Sequence, residues 1–273
     1  MFYLTVKILK EGRCDYMKNK ILFFDIDGTL YNSEKRLPKA TYDAIQKAKE
    51  NGHEVAIATG RSPFFLKPVL DELGLNSYVS FNGQYVVHKG NVISKRPIPM
   101  NTIERLVTQA AIENNPIVYL DNIKMTSAIK DDQKVQISMD SLFYPMPEVD
   151  GEYYKYSNTY QILLYVDEKE EKRYASLYPE LKFIRWHEFS VDVINHDVSK
   201  AYGIRQFLKQ TDFDFEDAIA FGDGLNDVEM LQTVGTSVAM GNGHKKAKEA
   251  ATFVTDHVDR DGLSKAMKKL GLC

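Results

Sequence analysis

Asp25 and Asp27 stand two residues apart in FFDIDGTL (Phe23–Leu30), directly after an apolar run and ahead of Gly28 and Thr29. Paired carboxylates at the end of a buried strand can attack an electrophile, move a proton or hold a cation. Taken alone, the pair is more simply a strand-end turn or a helix cap. Three other polar clusters give it partners: Thr59-Gly60-Arg61, Ser199-Lys200, and Gly222-Asp223-Gly224-Leu225-Asn226-Asp227. Gathered together, they put four carboxylates beside one lysine and several hydroxyl and amide donors. Carboxylates crowded in this way repel one another unless a divalent cation sits among them. An all-oxygen ligand set favours Mg2+, which keeps some of its waters and shares its shell with a phosphate. Lys200 and the Thr59 hydroxyl suit phosphate oxygens.

The elements that would position these clusters follow from the apolar pattern. ILFF ahead of Asp25 reads as a strand over 20–24, and EVAIA at 54–58 as a second, ending at Thr59. Helices are expected over 38–51, with Pro38 in the first turn and Gly52 beyond the last, and over 63–73, stopped by Gly74. Strands apolar on both faces and alternating with helices argue for a parallel sheet covered by helices. After Ser80 the rhythm changes. A hairpin around Lys89-Gly90 joins strands 84–88 and 91–95, and a helix over 101–114 has Asn101 as its cap. Strands at 117–120, 161–166, 181–185 and 190–194 mix with helices at 131–141 and 168–178. The parallel rhythm returns with a helix at 199–209, a strand at 217–221, a helix at 227–233, a strand at 237–240 and helices at 244–250 and 262–270.

One α/β domain is therefore expected from both ends of the chain, residues 1–82 and 191–273. An α+β domain is inserted at 83–190. All four polar clusters fall at the C-terminal ends of predicted strands or at the starts of the helices beyond them. In open α/β sheets that edge is where ligands bind.

Bulk properties narrow the class. A chain of 273 residues with 44% hydrophobic content can build two moderate cores. The net charge of −3 gives no basic footprint for nucleic acid. No apolar run approaches the ~18–20 residues of a membrane span. Cys14 and Cys273 form neither a disulfide framework nor a metal pattern. A cytoplasmic protein, monomeric by default, is the expectation.

In order and placement, these motifs resemble the haloacid dehalogenase (HAD) superfamily. DIDGT at 25–29 resembles its first motif, ATG at 58–60 the second, Lys200 the third and GDGLND at 222–227 the fourth. The long insertion between the second and third resembles the large α+β (class IIB) cap of the Cof-type subgroup, entered at FNGQ, 81–84. The resemblance covers nearly everything from residue 18 on and implies a Rossmann-like core beneath that cap. It departs in two places. Ala201 follows Lys200 where glycine is usual, and Gly243 stands where alanine is more common.

What the resemblance implies is a Mg2+-dependent phosphatase for small phosphorylated metabolites, sugar phosphates first. Asp25 would be the nucleophile that becomes an aspartyl phosphate. Asp27 would protonate the leaving oxygen and then activate water; the related P-type pumps carry threonine there. The metal would be held by Asp25, the Asp27 carbonyl and Asp223, with Asp227 directly or one layer out. Thr59, Gly60, Lys200 and Asn226 would hold the phosphoryl oxygens. The alternatives are a pyridoxal phosphate or FMN phosphatase, a phosphomutase, and an inactive phosphate-ligand sensor. The intact acid set argues against the sensor.

Other residues carry plainer readings. Asn226 has a second use as the cap of the helix beginning at Asp227. Arg61 either steers an anionic substrate from the rim or is a surface arginine. The six histidines show no metal-ligand spacing. Tyr153, Tyr154, Tyr156 and Tyr160 read as cap core or cap surface before they read as a stacking platform. At the N-terminus, Phe2–Leu9 reads as an edge strand. Translation beginning at Met17 is the other reading, which makes 1–16 an extension.

Overall fold

The computed structural model describes residues 19–273. The expected edge strand Phe2–Leu9, the Met17 start and Cys14 lie outside the described residues. From the N-terminal side the elements are β1 (Ile21–Phe24), α1 (Lys39–Glu50), β2 (Glu54–Ala58), α2 (Pro63–Leu73), β3 (Tyr78–Ser80), β4 (Tyr85–His88) and β5 (Asn91–Lys95). Next come α3 (Met100–Ile112), β6 (Ile117–Leu120), β7 (Met125–Ser127), α4 (Gln133–Ser141), β8 (Glu148–Val149), β9 (Gln161–Tyr165), α5 (Glu168–Leu177), β10 (Leu181–His187) and β11 (Ser190–Asn195). The chain closes with α6 (Lys200–Leu208), β12 (Ala218–Gly222), α7 (Val228–Thr233), β13 (Thr236–Ala239), α8 (Lys245–Ala250), β14 (Phe253–Val254) and α9 (Gly262–Lys269).

Two sheets form. The larger runs β14-β13-β12-β1-β2-β3-β4-β5 and the smaller β10-β11-β9-β6-β7-β8. In the larger, every pairing from β14 to β3 is parallel. Its central strands β12 and β1 are buried on both faces, and β1 shows how. Leu22 and Phe24 enter a core with Ile45, Leu66, Val69 and Met267 of α1, α2 and α9. Ile21 and Phe23 enter the opposite core, with Ile204, Phe207 and Met230 of α6 and α7. Successive side chains of a strand point to opposite faces, so four consecutive apolar residues serve two helical layers at once. After β1 the chain winds towards β2 and β3. From β12 it winds the other way, so the direction reverses between β1 and β12, next to the first acidic pair.

Sequence and structure differ in four ways. The hairpin β4–β5 does not enter the inserted domain. It extends the larger sheet antiparallel from β3, with Val86 in the same core as Val79. β11, at the other border, pairs only within the smaller sheet. By sheet membership the insertion therefore leaves after Lys95 and returns after Asn195, not at 83 and 190. The N-cap of α3 is Pro99, while Asn101 sits inside the helix. The short strands β3, β7, β8 and β14 carry too few residues to show periodicity and are added by the structure.

The two crossings are tied to each other. The Gln84 side-chain oxygen Oε1 accepts from Asn195 N (2.9 Å) and Nδ2 (2.7 Å), and its Nε2 donates to the Tyr160 carbonyl. Arg96 pairs with Asp197 at 2.5 Å and stacks over Tyr202. The FNGQ segment thus places a fully buried amide between the outgoing and returning chains.

Candidate active site

Asp25 follows β1, Thr59 follows β2, Asp223 follows β12, and Lys200 opens α6. Neighbouring strands bring the first three together, and Ser199 caps α6 through its hydroxyl. The Lys200 ammonium is fully buried and lies 2.5 Å from Asp25 Oδ1 and 2.6 Å from Asp227 Oδ1. Asp227, also fully buried, turns its other oxygen to the backbone N–H groups of Asp223 (2.8 Å) and Gly224 (2.7 Å). Thr29 donates to Asp223 Oδ1 at 2.9 Å. Both oxygens of Asp227 are thus engaged, while Asp25 and Asp223 each have one oxygen fixed. Among the described residues, Asp25 Oδ2 and Asp223 Oδ2 have no hydrogen-bond donor.

Charge crowding sets the protonation behaviour. Burial raises the Asp25 carboxyl well above the usual range; Lys200 opposes this, and Asp227, Asp223 and Asp27 add to it. Burial likewise pushes Asp223 up to about 6, with Asp227 adding and the Thr29 hydroxyl opposing. Burial alone would lower Lys200, but Asp227 and Asp25 more than reverse it, and the ammonium is held charged. Three acids against one buried cation leave an excess of negative charge that a divalent ion would neutralise. The fit is direct, because Asp25, Asp223 and Asp227 each offer an oxygen within 4.8 Å of the others. Asp227 already has both oxygens engaged, so Asp25 and Asp223 are the freer ligands.

Asp27 and Arg61 form a clamp at the rim. The guanidinium makes two bonds to the Asp27 carboxylate, 2.9 Å from Nε and 2.6 Å from the terminal nitrogen. The same group lies over the Tyr31 ring. Arg61 is therefore neither a free surface arginine nor, in this arrangement, available to an anion. Thr59 Oγ1 accepts from Arg61 N at 3.2 Å, and the Gly60 N–H has no acceptor among the described residues. Asn226 lies exposed in a 3-10 turn and donates to Asn82 Oδ1 at 3.1 Å, so it does not cap the following helix. Asp227 takes that place.

Three supporting residues escaped sequence reasoning. Asn82, at φ +52, meets Asn226 and crowds Gly60 so closely that a Cβ there would sit 2.9 Å from its amide nitrogen. Asn242 donates to the Gly28 carbonyl at 2.8 Å and accepts from Val258 N at 2.9 Å, bracing the loop between Asp27 and Thr29. Gly28 itself has φ +80, and a Cβ would come 2.4 Å from Asp223 Oδ2. Of these, Asn82 and Gly28 lie within quoted motifs, where a positive-φ Asn or Gly is the available signal. Nothing local marks Asn242. The tyrosines behave as packing: Tyr153, Tyr154 and Tyr160 are buried and Tyr156 is exposed.

Known proteins resemble this chain over most of its length. A family model described as haloacid dehalogenase-like hydrolase matches residues 22–267. The Bacillus subtilis (strain 168) protein YkrA, whose name assigns it provisionally to the phosphatases, is 45% identical over 256 residues, covering 94% of this chain and 99% of its own. The crystal structure of a hypothetical protein from Geobacillus kaustophilus HTA426 superposes with a TM-score of 0.90 at 46% identity, over 93% of this chain and all of that one. The HAD subclass IIB sugar phosphatase BT4131 superposes with a TM-score of 0.82 at 31% identity, over 93% of this chain and all of its own.

Proposed function

The chain belongs to the haloacid dehalogenase-like hydrolases and is a phosphatase of that superfamily, and from that premise we propose a Mg2+-dependent phosphomonoesterase that works through an aspartyl phosphate on small phosphorylated metabolites, sugar phosphates first. The observation that carries this is the Lys200 ammonium bridging Asp25 and Asp227, with the free oxygen of Asp223 beside them. Such an arrangement would let one carboxylate attack and would surround it with charge that a phosphoryl group can share. The resemblance to BT4131 supports a sugar ester as the substrate.

Asp25 Oδ2 would attack phosphorus, while Lys200 holds Oδ1 and so fixes the direction of attack. Lys200, Thr59 Oγ1, the Gly60 N–H and Asn226 Nδ2 would receive the phosphoryl oxygens, donors aimed where negative charge gathers. Asp27 would give a proton to the leaving oxygen and then take one from the water that opens the acyl phosphate. To do so its carboxylate must part from Arg61, and an incoming phosphate dianion offers the guanidinium another partner. Asp25, Asp223 and the Asp27 carbonyl would hold Mg2+, with Asp227 behind them; when bound it supplies charge neutralisation that lets two anions approach.

The test is release of inorganic phosphate from hexose monophosphates in Mg2+ and in excess EDTA, with quenched enzyme assayed for a base-labile phosphoryl group. Release that needs Mg2+, with label on Asp25, is expected. Undiminished turnover in EDTA, or label on another residue, would overturn the reading.

A further inference from the structure

The smaller sheet carries polar side chains that the phosphoryl chemistry does not use. On β9 and β11, Ile162, Leu164, Val191 and Val193 point into the core shared with α3 and α5. By alternation Gln161, Leu163 and Asp192 turn to the opposite face. On that face Leu163 and Trp186 belong to the cluster that holds Phe64, Phe65 and Phe81 of the larger domain. Phe64 and Phe65 come three and four residues after Arg61, and Phe81 directly precedes Asn82. The face therefore stands over the rim of the phosphoryl site.

Asp192 sits between Leu163 and Ile184 in the ladder, with Gln161 diagonal to it. Burial pushes its carboxyl up to about 8, and only the Gln161 amide opposes the shift. Among the described residues no cation pairs with it. The lysine on the same face of β10, Lys182, turns instead to the Val198 carbonyl and Glu229. Gln161 is 4% exposed and its carbonyl oxygen has no partner. The Trp186 indole nitrogen is buried and has none either. Buried polar atoms are ordinarily bonded, and the Gln161 oxygen and the Trp186 nitrogen, on the same face as Asp192, need a reason for being without a partner. A ligand that bonds to them is one.

We propose that Asp192, Gln161 and Trp186 form the subsite that reads the leaving group of the substrate, and that it takes an uncharged polyol, a sugar or sugar alcohol with adjacent hydroxyls. The set provides one N–H donor, one amide acceptor, one carboxyl and an aromatic edge, and no positive charge. Hydroxyl groups both give and accept, so neighbouring ones can satisfy all three partners. A leaving group with a second phosphate or a carboxylate would face Asp192 without a counter-ion and is turned away. The subsite rests on the phosphatase reading given above, since it presumes an ester held at Asp25.

The experiment measures kcat/KM with Mg2+ on a hexose 6-phosphate, the matching 1,6-bisphosphate and p-nitrophenyl phosphate. The enzymes are wild type, Asp192→Leu, Gln161→Leu and Trp186→Phe. Wild type should favour the monophosphate over the bisphosphate by about tenfold or more. Each variant should lose about 10–100-fold on the hexose ester and less than about twofold on p-nitrophenyl phosphate, which offers no hydroxyls. Trp186→Phe keeps an aromatic ring while removing the indole N–H together with the five-membered ring, and, read as the ratio of the hexose ester to p-nitrophenyl phosphate, it carries the test should a change at Asp192 disturb folding. Equal losses on both esters, no loss on either, or a wild-type preference for the bisphosphate would overturn the subsite alone. Wild type inactive on every ester would sink the phosphatase reading and the subsite with it.

Discussion

Two carboxylates share one buried ammonium, so Lys200 cannot be removed as if it were half of a single ion pair. Lys200→Met would leave Asp25 and Asp227 facing each other without compensation. Breaking a buried pair by deleting one member costs about 3–5 kcal/mol. We expect a loss of that order in urea unfolding with EDTA, and a smaller one with Mg2+, which takes over part of the charge. A loss equal in both conditions would show that the cation does not enter this cluster. At the nucleophile, Asp25→Asn should abolish turnover, because an amide is a poor nucleophile and a weaker ligand. Asp27→Asn should slow turnover by roughly 10^3-fold or more while phosphate still binds, read from steady-state rates and product inhibition. Full activity in either variant, with deamidation excluded, would count against the assigned roles. The types and spacing of these acids made them legible in the chain. Asn242 was not, because its function is a bond to the Gly28 carbonyl across 214 positions of sequence, a relation only the folded chain creates. Arg61 was half legible: its place after Thr59-Gly60 was plain, its two bonds to Asp27 were not.

The element that sets the height of Lys200 is α6, which lies on the turn 81–83 with almost no clearance. A Cβ on Gly83, at φ +107, would stand 2.1 Å from the Ser199 carbonyl oxygen. One on Gly203 would stand 2.3 Å from Val79 Cγ1 and 2.7 Å from Gly83 Cα. Gly203→Ala should therefore push the helix off the sheet, destabilise by about 1–3 kcal/mol as overpacking does, and lower activity by moving the ammonium. Ala201→Gly two residues earlier should keep activity and lose only about 1 kcal/mol of helix stability. Thermal melts alongside rates separate the two; a Gly203→Ala enzyme of normal stability and rate would refute the tight seating. Long elements with caps, such as α1, α2 and α5, were readable from period and punctuation. The hairpin β4–β5 was assigned to the wrong sheet because antiparallel pattern says how strands pair, and nothing about which sheet they join. Its neighbour β3 has only three residues and gave no period to read.

At the scale of the whole molecule, buried acids make stability, protons and the cation one linked system. Asp223 and Asp192 have folded-state values of about 6 and about 8 against an ordinary 3.8. A carboxyl raised by folding binds more protons folded than unfolded, so stability falls as pH rises through that interval. In EDTA the protein should lose stability from about pH 4 upward. The Asp223 share should be complete a little above pH 6, and the Asp192 share should continue to about pH 8. Asp192→Asn should flatten the curve over the whole interval from about pH 4 to 8, leaving the Asp223 share between about pH 4 and 6. Mg2+ offsets the Asp223 share once that carboxyl is ionised, because it needs the same carboxylates unprotonated. At a concentration 100 times its dissociation constant a ligand specific to the folded state stabilises by about 2.7 kcal/mol. At a fixed Mg2+ concentration the rise in melting temperature should therefore be small at pH 5, where protons hold Asp223, and larger at pH 7.5, with the change centred near 6. Scanning calorimetry of wild type and Asp223→Asn, with and without Mg2+ across that range, measures it. A Mg2+ effect that is flat with pH, or that survives unchanged in Asp223→Asn, would mean the cation binds somewhere other than the cluster formed by the two ends of the chain.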